Sequence, residues 1–330
     1  MNRRRETASR PTRRDFLRRS ALAGSAVLAL RNLPLRAEPA GELPTRVLGR
    51  TNQKVTILGL GTAPIGEARL PVPEAVKIFG ESMDRGVTYI DTARSYGIAE
   101  EALGQLVPKR RDKLFLVTKL WTESGKQAEK LFAESLRTLK TDHLDLVHIH
   151  HIGGKDPEKV KAADGILSFL LKQKAQGKLR FIGMSGHCRP DRFVEMLKTD
   201  QIDVVMGVMN YADCNTYNFE GTVLPECRKR NVGAAAMKVY VGIKGGFKNH
   251  RNGRVGCVTP PERLEAALAY CLDLEGISVA VVGPFTLEHA IQNVDFARRY
   301  KPLTDQQREE LLKRGKEIAA EIGPRYGPVA

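Results

Sequence analysis

With 330 residues, 42% of them hydrophobic and 28% charged, the chain is too long and too apolar to be disordered throughout, and it can form two domains or one large α/β barrel. Residues 1–37 carry ten Arg and two acids and supply +8 of the net charge of +15. The remaining charge is spread along the chain without a nucleic-acid motif, so nucleic acid is not an expected partner. The five Cys include no CxxC pair, which argues against a disulfide framework, a zinc ribbon or an iron–sulfur cluster.

The N-terminus has the pattern of an export signal. A twin arginine, Arg13-Arg14, precedes the apolar run Ala21–Leu30, and Ala37 offers a small residue for cleavage. The run is too short to span a bilayer as a helix, and the twin arginine resembles Tat signals. We therefore expect residues 1–37 to be a Tat signal peptide that engages the Tat export machinery. The mature chain, 38–330, is then expected in the periplasm or elsewhere outside the cytoplasmic membrane, without stable membrane insertion.

Short apolar strands alternate with helical patterns from about residue 55 onward, at roughly thirty residues per unit. The strands are nearly continuously apolar, as in strands that are buried on both faces. This pattern predicts one (β/α)₈ TIM barrel over residues 38–330. A doubly wound open sheet is the alternative, but it would be expected to open with a GxGxxG turn, which the first strand lacks. The predicted strands are Thr56–Leu60, Val87–Asp91, Leu114–Lys119, Leu144–His150, Leu179–Met184, Val204–Val208, Gly233–Met237 and Val279–Val282.

Helical patterns lie between and after these strands. The last one is preceded by Thr304 with Gln307 three residues on, which predicts a capping box. Two polar, Gly-containing segments, Lys155–Ala163 and Lys244–Thr259, are predicted to be surface loops. The second follows the seventh strand and should lie over the barrel mouth, as a lid or a plain loop. The predicted helices are Glu74–Arg85, Gln127–Leu139, Asp191–Lys198, Val223–Arg230, Pro261–Leu272, Leu287–Arg298 and Asp305–Ile322.

Four titratable side chains stand at or just after the ends of three successive strands. Asp91 and Tyr96 follow the second strand, Lys119 ends the third, and His150 ends the fourth. Each alone has an ordinary structural explanation, such as a cap, a solvated charge or a packed ring. Because barrel active sites form at the carboxyl ends of the strands, their coincidence favours a catalytic group.

The chemistry of this group suits proton transfer to a substrate oxygen. A phenol has a pKa near 10, and a neighbouring ammonium lowers it, so we expect Lys119 to lower the pKa of Tyr96. Asp91 should keep Lys119 charged, and His150 should hydrogen-bond the substrate oxygen. Such a set delivers a proton to an oxygen whose carbon receives a hydride, and it contains no activated Ser or Cys nucleophile.

A metal site is the competing interpretation of the neighbouring histidines. Strand alternation puts His148 and His150 on one face and His151 on the other. A metal needs three or four ligands, and neither an HExxH motif nor a carboxylate cluster supplies them, so no metal is expected.

The motifs around these residues resemble those of the aldo-keto reductases over about residues 44–300. The resemblance is carried by Asp91–Gly97 with Glu100, Ser135–His150, Gly177–Ser185 and the hairpin segment Val47–Thr51. It implies a barrel, a nicotinamide cofactor that is NADP(H) rather than NAD(H), and a catalytic tetrad of Asp91, Tyr96, Lys119 and His150.

The resemblance also locates the cofactor contacts, and departures from the family pattern concentrate there. Gly186 stands where the family usually has Asn, Met206 replaces a Gln, and Met237 replaces the aromatic that stacks on nicotinamide. The eighth-strand region keeps a helix N-terminus fit for phosphate but lacks the usual Lys or Arg for the 2′-phosphate. The expected cofactor-binding residues are Gly61, Thr62, Ser185, Gly186, Met206, Met237, Gly283, Thr286, His289 and Asn293.

The function expected from these residues is that of an NAD(P)(H)-dependent oxidoreductase interconverting a carbonyl and an alcohol on a small-molecule carbonyl or sugar-like substrate. Two alternatives stay open. One is a non-catalytic nicotinamide-binding or sensor barrel, which the altered cofactor contacts motivate. The other is a non-redox isomerase or lyase that uses Tyr96 and Lys119 for proton transfer alone.

Overall fold

Eight parallel strands close into a barrel in chain order in the computed structural model, which describes residues 41–245 and 256–330. The eight strands follow one another around the barrel, and the last pairs back onto the first, which confirms the predicted (β/α)₈ fold. The predicted signal peptide lies outside the described residues. The strands are β1 Thr45–Val47, β2 Lys54–Thr56, β3 Leu58–Gly61, β4 Tyr89–Asp91, β5 Phe115–Leu120, β6 Leu144–Ile149, β7 Leu179–Gly186, β8 Val204–Val208, β9 Gly233–Met237 and β10 Ile277–Val282.

All eight predicted strands are present, and β8 and β9 have the predicted bounds. The largest extension at a carboxyl end is in β7, which continues to Gly186 instead of ending at Met184. The extra residues pair with β8, since Ser185 is in register with Met206 and Gly186 with Gly207. This pairing places Ser185 in the barrel wall.

Helices cover the outside of the barrel, and the predicted Leu287–Arg298 and Asp305–Ile322 have their predicted bounds. The capping box at Thr304 is confirmed by hydrogen bonds in both directions with Gln307. In the described ranges, no helix has both the length and the apolar character needed to cross a membrane. The α-helices are α1 Ala63–Ala68, α2 Val72–Asp84, α3 Ala99–Leu103, α4 Gly125–Leu139, α5 Pro157–Lys161, α6 Ile166–Ala175, α7 Pro190–Leu197, α8 Phe219–Lys229, α9 Leu264–Asp273, α10 Leu287–Arg298 and α11 Asp305–Ile322.

Four helices, α1, α3, α5 and α6, are absent from the sequence prediction. The segment Lys155–Ala163, predicted to be a loop, contains α5, whose start is capped by the Asp156 side chain. Helix α6 was missed because it begins with a nearly continuous apolar run, which lacks the 3.6-residue period of an amphipathic helix.

Large aromatic side chains fill the amino-terminal half of the barrel interior. Tyr89 stacks on Phe115 at 5.5 Å between ring centres, and Phe115 stacks on Phe181 at 6.1 Å. Leu48, from the turn of the β1–β2 hairpin, and Val55 join this buried cluster. Because side chains alternate along each strand, the next inward positions on β4 and β5 bring polar groups to the opposite, carboxyl-terminal end. The open end of the barrel is therefore the polar one.

The C-terminal segment that follows α11 is anchored to the strand-end loops of this polar mouth. Arg325 donates to the Asp213 carboxylate at 2.8 Å and to the Val241 carbonyl at 2.6 Å. The Tyr326 amide donates to the Tyr217 hydroxyl at 2.7 Å. These bonds explain how a segment distant in the chain comes to form part of the rim.

Candidate active site

The loop that carries Tyr96 is held by a buried carboxylate. Glu100, which is 1% exposed, accepts hydrogen bonds from Arg94 at 2.5 Å and from Thr118 at 2.8 Å. Gly97 has a φ of +49°, and a Cβ there would collide with the Gly66 carbonyl oxygen. The loop between β4 and α3 is therefore tightly constrained. It places the Tyr96 side chain over the barrel mouth.

Lys119 and Asp91 form a buried ion pair beneath Tyr96. The Lys119 Nζ donates to Asp91 Oδ2 at 2.5 Å and to the Thr92 carbonyl at 2.9 Å. The same nitrogen lies 4.7 Å from the centre of the Tyr96 ring. The side chains from β4, from β5 and from the intervening loop thus meet where the sequence predicted.

His150 completes the group from the end of β6. Its ring is 4% exposed and lies edge-on to Tyr96, with 5.8 Å between ring centres. Its Nδ1 is buried and has no hydrogen-bond partner among the described residues. His148, two residues earlier, instead packs inside the barrel, where a Cβ at Gly183 would collide with its ring. The four predicted catalytic residues therefore lie together, and His148 belongs to the core.

The expected effect of Lys119 on the phenol is not found. Burial raises the pKa of Tyr96 well above its ordinary value, and the negative charges of Asp91 and Glu67 raise it further. The physical reason is that Lys119 directs its charge at Asp91, only 2.5 Å away. Tyr96 is therefore a neutral phenol at physiological pH, able to donate a proton.

His150 is a neutral imidazole. Burial lowers its pKa well below the ordinary value, and the positive charge of Lys119 lowers it further, with smaller contributions from other basic groups of the mouth. A neutral ring can donate one hydrogen bond to a substrate oxygen without adding a charge.

A cavity of about 330 Å³ opens beside this group. It is bordered by Asp91 and Tyr96 and extends to the start of α10. Seven of the predicted cofactor residues line it: Gly61, Met206, Met237, Gly283, Thr286, His289 and Asn293. The other three, Thr62, Ser185 and Gly186, do not line it. Thr62 donates to the Asp91 carbonyl at 3.0 Å, and Gly186 packs against Phe193.

The lining fits a nucleotide cofactor. Thr286 caps the twelve-residue helix α10 by accepting from the His289 amide, and this helix start offers backbone N–H groups and a positive dipole end to a phosphate. Gly283 leaves no room for a side chain, since a Cβ there would lie 2.5 Å from Pro64. Outside this lining, Ser185 Oγ is buried without a hydrogen-bond partner among the described residues.

Several cavity residues were missed by the sequence reasoning. Lys238 follows Met237 directly at the end of β9, lines the cavity, and has a pKa that burial lowers to about 8. Its position after a strand end is the signal that would have selected it. Tyr240 also lines the cavity and donates to Asn293 at 2.8 Å. The described ends of the predicted loop Lys244–Thr259 reach the cavity through Gly256 and Cys257.

Three histidines lie near one another at this mouth, which raises the question of a metal site. In residues 41–245 and 256–330, no group of three His, Cys, Asp or Glu side chains is placed to hold a metal ion.

Comparison with known proteins gives a family match and several relatives. The model of the Aldo/keto reductase family matches residues 57–265. The chain is similar to an L-galactose dehydrogenase of Arabidopsis thaliana, with 28% identity over 219 residues that cover 61% of this chain and 67% of that protein. It is also similar to a methylglyoxal reductase of Escherichia coli, with 36% identity over 132 residues that cover 39% of this chain and 44% of the relative.

Solved structures share the fold. An aldo-keto reductase from Bacillus halodurans in its holo form has a TM-score of 0.67 and 24% identity, over 82% of this chain and 96% of that one. An aldo/keto reductase from Klebsiella pneumoniae in complex with NADP and acetate has a TM-score of 0.65 and 23% identity, over 82% and 95% of the two chains. At these identities the likeness is one of fold.

Proposed function

The chain belongs to the aldo/keto reductase family, and we propose that it interconverts a small carbonyl compound and its alcohol with a nicotinamide cofactor. The observation that carries this proposal is the Lys119–Asp91 ion pair, 2.5 Å long, whose ammonium lies over the Tyr96 ring at the edge of the cavity. A sugar-like molecule is one form that such a substrate can take.

Each residue of the group has a defined task in reduction. Tyr96 donates its hydroxyl proton to the substrate oxygen as negative charge develops there. Lys119 holds its ammonium beneath the Tyr96 ring, and the ion pair with Asp91 keeps that ammonium charged in a buried place. His150, as a neutral ring, hydrogen-bonds the same oxygen and orients the carbonyl. A bound nicotinamide supplies the hydride for reduction, or accepts it in the reverse direction.

We propose NADP(H) rather than NAD(H) as the cofactor. The Klebsiella pneumoniae structure is a complex with NADP, which supports this choice for a chain of the same fold. The residues proposed to hold the nucleotide are Gly61, Gly283 and the start of α10, with Ser185 offering its unpaired hydroxyl to the nicotinamide end. Titration of the full chain with NADPH and with NADH, with mass spectrometry of the retained species, tests this choice.

Turnover of a generic aldehyde with NADPH tests the reaction. We expect steady loss of reduced-nicotinamide absorbance with the natural chain, and a loss of at least about a thousandfold in kcat/KM for Tyr96→Phe, because the proton donor is removed. Tyr300→Phe is the matched control: Tyr300 bonds to Asp273 away from the cavity. Full activity in Tyr96→Phe would contradict the assignment.

A non-catalytic binding or sensor protein is the second candidate, favoured by Met206 and Met237, which line the cavity where an amide and an aromatic are typical. Tight NADPH binding without turnover of any aldehyde would favour it.

We also propose that residues 1–37 direct Tat export and that the cofactor is loaded before export, since free NADP(H) is not expected outside the cytoplasm. Cell fractionation of the natural chain and of Arg13→Lys with Arg14→Lys tests export, and the variant should stay in the cytoplasm. Dialysis of NADPH-loaded protein tests retention. Complete loss of the nicotinamide signal would contradict a pre-loaded cofactor.

A further inference from the structure

A buried lysine outside the catalytic group lies at the same barrel mouth. Lys155 is 5% exposed and follows the turn Ile152–Gly154, which leads away from β6 and His150. Its own amide donates to the Ile152 carbonyl at 3.0 Å, and Arg192 donates to its carbonyl. The backbone of Lys155 is therefore fixed at both its N–H and its C=O, and the side chain has a defined place.

The ammonium of Lys155 is not neutralised by the protein. Among the described residues it forms neither a hydrogen bond nor an ion pair. Burial lowers the pKa of Lys155, and the negative charge of Glu123 raises it by less. Glu123 instead accepts the Asp156 amide at 2.8 Å. The stem of Lys155 is packed, while its nitrogen is not among the buried unpaired atoms of the described residues and so keeps contact with solvent. An anion can therefore reach this ammonium from the mouth.

An exposed aromatic joins Lys155 to the catalytic group. The Lys155 Nζ lies 5.7 Å from the centre of the Trp121 ring, and that ring lies 4.9 Å from the centre of His150. His151 stacks on Trp121 at 5.1 Å. Trp121 is 53% exposed, although Trp side chains are highly buried on average. The Trp121 ring thus lies between the Lys155 ammonium and the His150 ring.

We propose that Lys155 and His151, beside Trp121, bind an anionic group, a carboxylate or a phosphate, on the non-reacting end of the substrate. This rests on the proposed function and narrows it to carbonyl compounds that carry such a group. Lys155 supplies the charge, His151 a ring N–H, and Trp121 an apolar face for the carbon skeleton between the two ends. Lys155 is a specificity residue and takes no part in proton transfer.

Matched pairs of aldehydes test the site. One pair is para-carboxybenzaldehyde and its methyl ester, and the other is glyceraldehyde and its phosphate ester. We expect the natural chain to prefer an anionic member, and Lys155→Gln to lower kcat/KM for that member roughly tenfold or more, through KM, while the neutral member changes less than about twofold. The pair that shows the effect distinguishes carboxylate from phosphate.

Lys159→Gln is the matched control, because Lys159 is exposed one turn further along in α5. It should change neither pair. An equal loss for the anionic and the neutral aldehyde in Lys155→Gln would show a structural role and overturn the site.

A binding measurement separates this inference from the proposed reaction. Trp121 is the only Trp in the chain, so intrinsic fluorescence reports on the site directly. Titration with benzoate or inorganic phosphate, against chloride at equal ionic strength, should give a saturable change whose midpoint rises at least about tenfold in Lys155→Gln. Binding without turnover of any aldehyde would contradict the proposed function and leave the anion site standing. No saturable response to either anion would overturn the site, whatever the turnover.

Discussion

The charge state of the Tyr96 hydroxyl depends on its burial and on how the neighbouring charges are paired. Lys119 is paired with Asp91 at 2.5 Å, and burial raises the pKa of Tyr96 well above its ordinary value. Burial and Lys119 lower the pKa of His150 well below its ordinary value. A protonated phenol beside a neutral imidazole is thus the resting arrangement, and it is the one that carbonyl reduction needs.

This arrangement predicts the pH dependence of reduction. We expect neither Tyr96 nor His150 to cause an inflection in kcat/KM for aldehyde reduction with NADPH between about pH 6 and about pH 9, since burial raises the pKa of Tyr96 above that window and lowers the pKa of His150 below it. An inflection near pH 8 is expected from Lys238 alone, whose pKa is about 8. Steady-state rates on a neutral aldehyde measure it. An inflection near pH 6.5 that disappears in His150→Gln would show that the imidazole titrates, contrary to its burial.

Secondary-structure elements fix the position of the phenol through one carboxylate. Glu100 in α3 accepts from Thr118 on β5 and from Arg94 in the loop, so it ties the loop to the barrel wall. Glu100→Ala leaves the Thr118 hydroxyl without its acceptor and leaves Arg94, among the described residues, with only its 3.6 Å contact to Glu134. We expect a loss of about tenfold in kcat for aldehyde reduction, with KM little changed, and a fall of about 1–3 kcal/mol in the free energy of unfolding.

Two further variants test whether Glu100 acts by positioning. Glu100→Gln keeps an acceptor for Thr118 and should recover most of the lost kcat, because the loop is again tied to β5. Glu101→Ala, at the exposed neighbouring position, should leave kcat and stability unchanged. If Glu100→Ala lost stability but kept its kcat, the carboxylate would hold the fold and not the phenol.

The same elements show how much the sequence could predict. Strands such as Val204–Val208 were located because a buried parallel strand is a short apolar run, and the polar residues at the ends of three strands then predicted the catalytic group. Helix Ile166–Ala175 was missed because its apolar run has no helical period. Lys155 was assigned to a loop because its burial depends on the path of the turn after β6, which a local pattern does not contain. Chain order therefore predicts which residues reach the mouth. Packing decides which side chains are buried there and which charges lack an ion-pair partner.

For the molecule as a whole, stability should depend on the carboxyl group of Glu220, which lies in a helix away from the catalytic group. Glu220 in α8 accepts from the Tyr270 hydroxyl at 2.8 Å, and burial raises the pKa of Glu220 to about 7. The folded chain therefore holds this proton more tightly than the unfolded chain, whose Glu has a pKa of about 4.3. The resulting contribution to stability is complete below about pH 4.3 and is lost as the pH rises through 7.

Replacement of Glu220 by Gln removes this ionisation. We expect Glu220→Gln to raise the free energy of unfolding by about 1–3 kcal/mol at pH 8.5, where the natural side chain must be charged in a largely buried place, and to give little gain at about pH 4, where it is mostly neutral in both the folded and the unfolded chain. Urea unfolding of both chains at the two pH values measures the difference. Glu309→Gln, on the exposed face of α11, is the control and should show no such pH-dependent gain. An equal effect of Glu220→Gln at both pH values would mean that the carboxyl keeps one charge state across the range, and that its hydrogen bond to Tyr270 outweighs its burial.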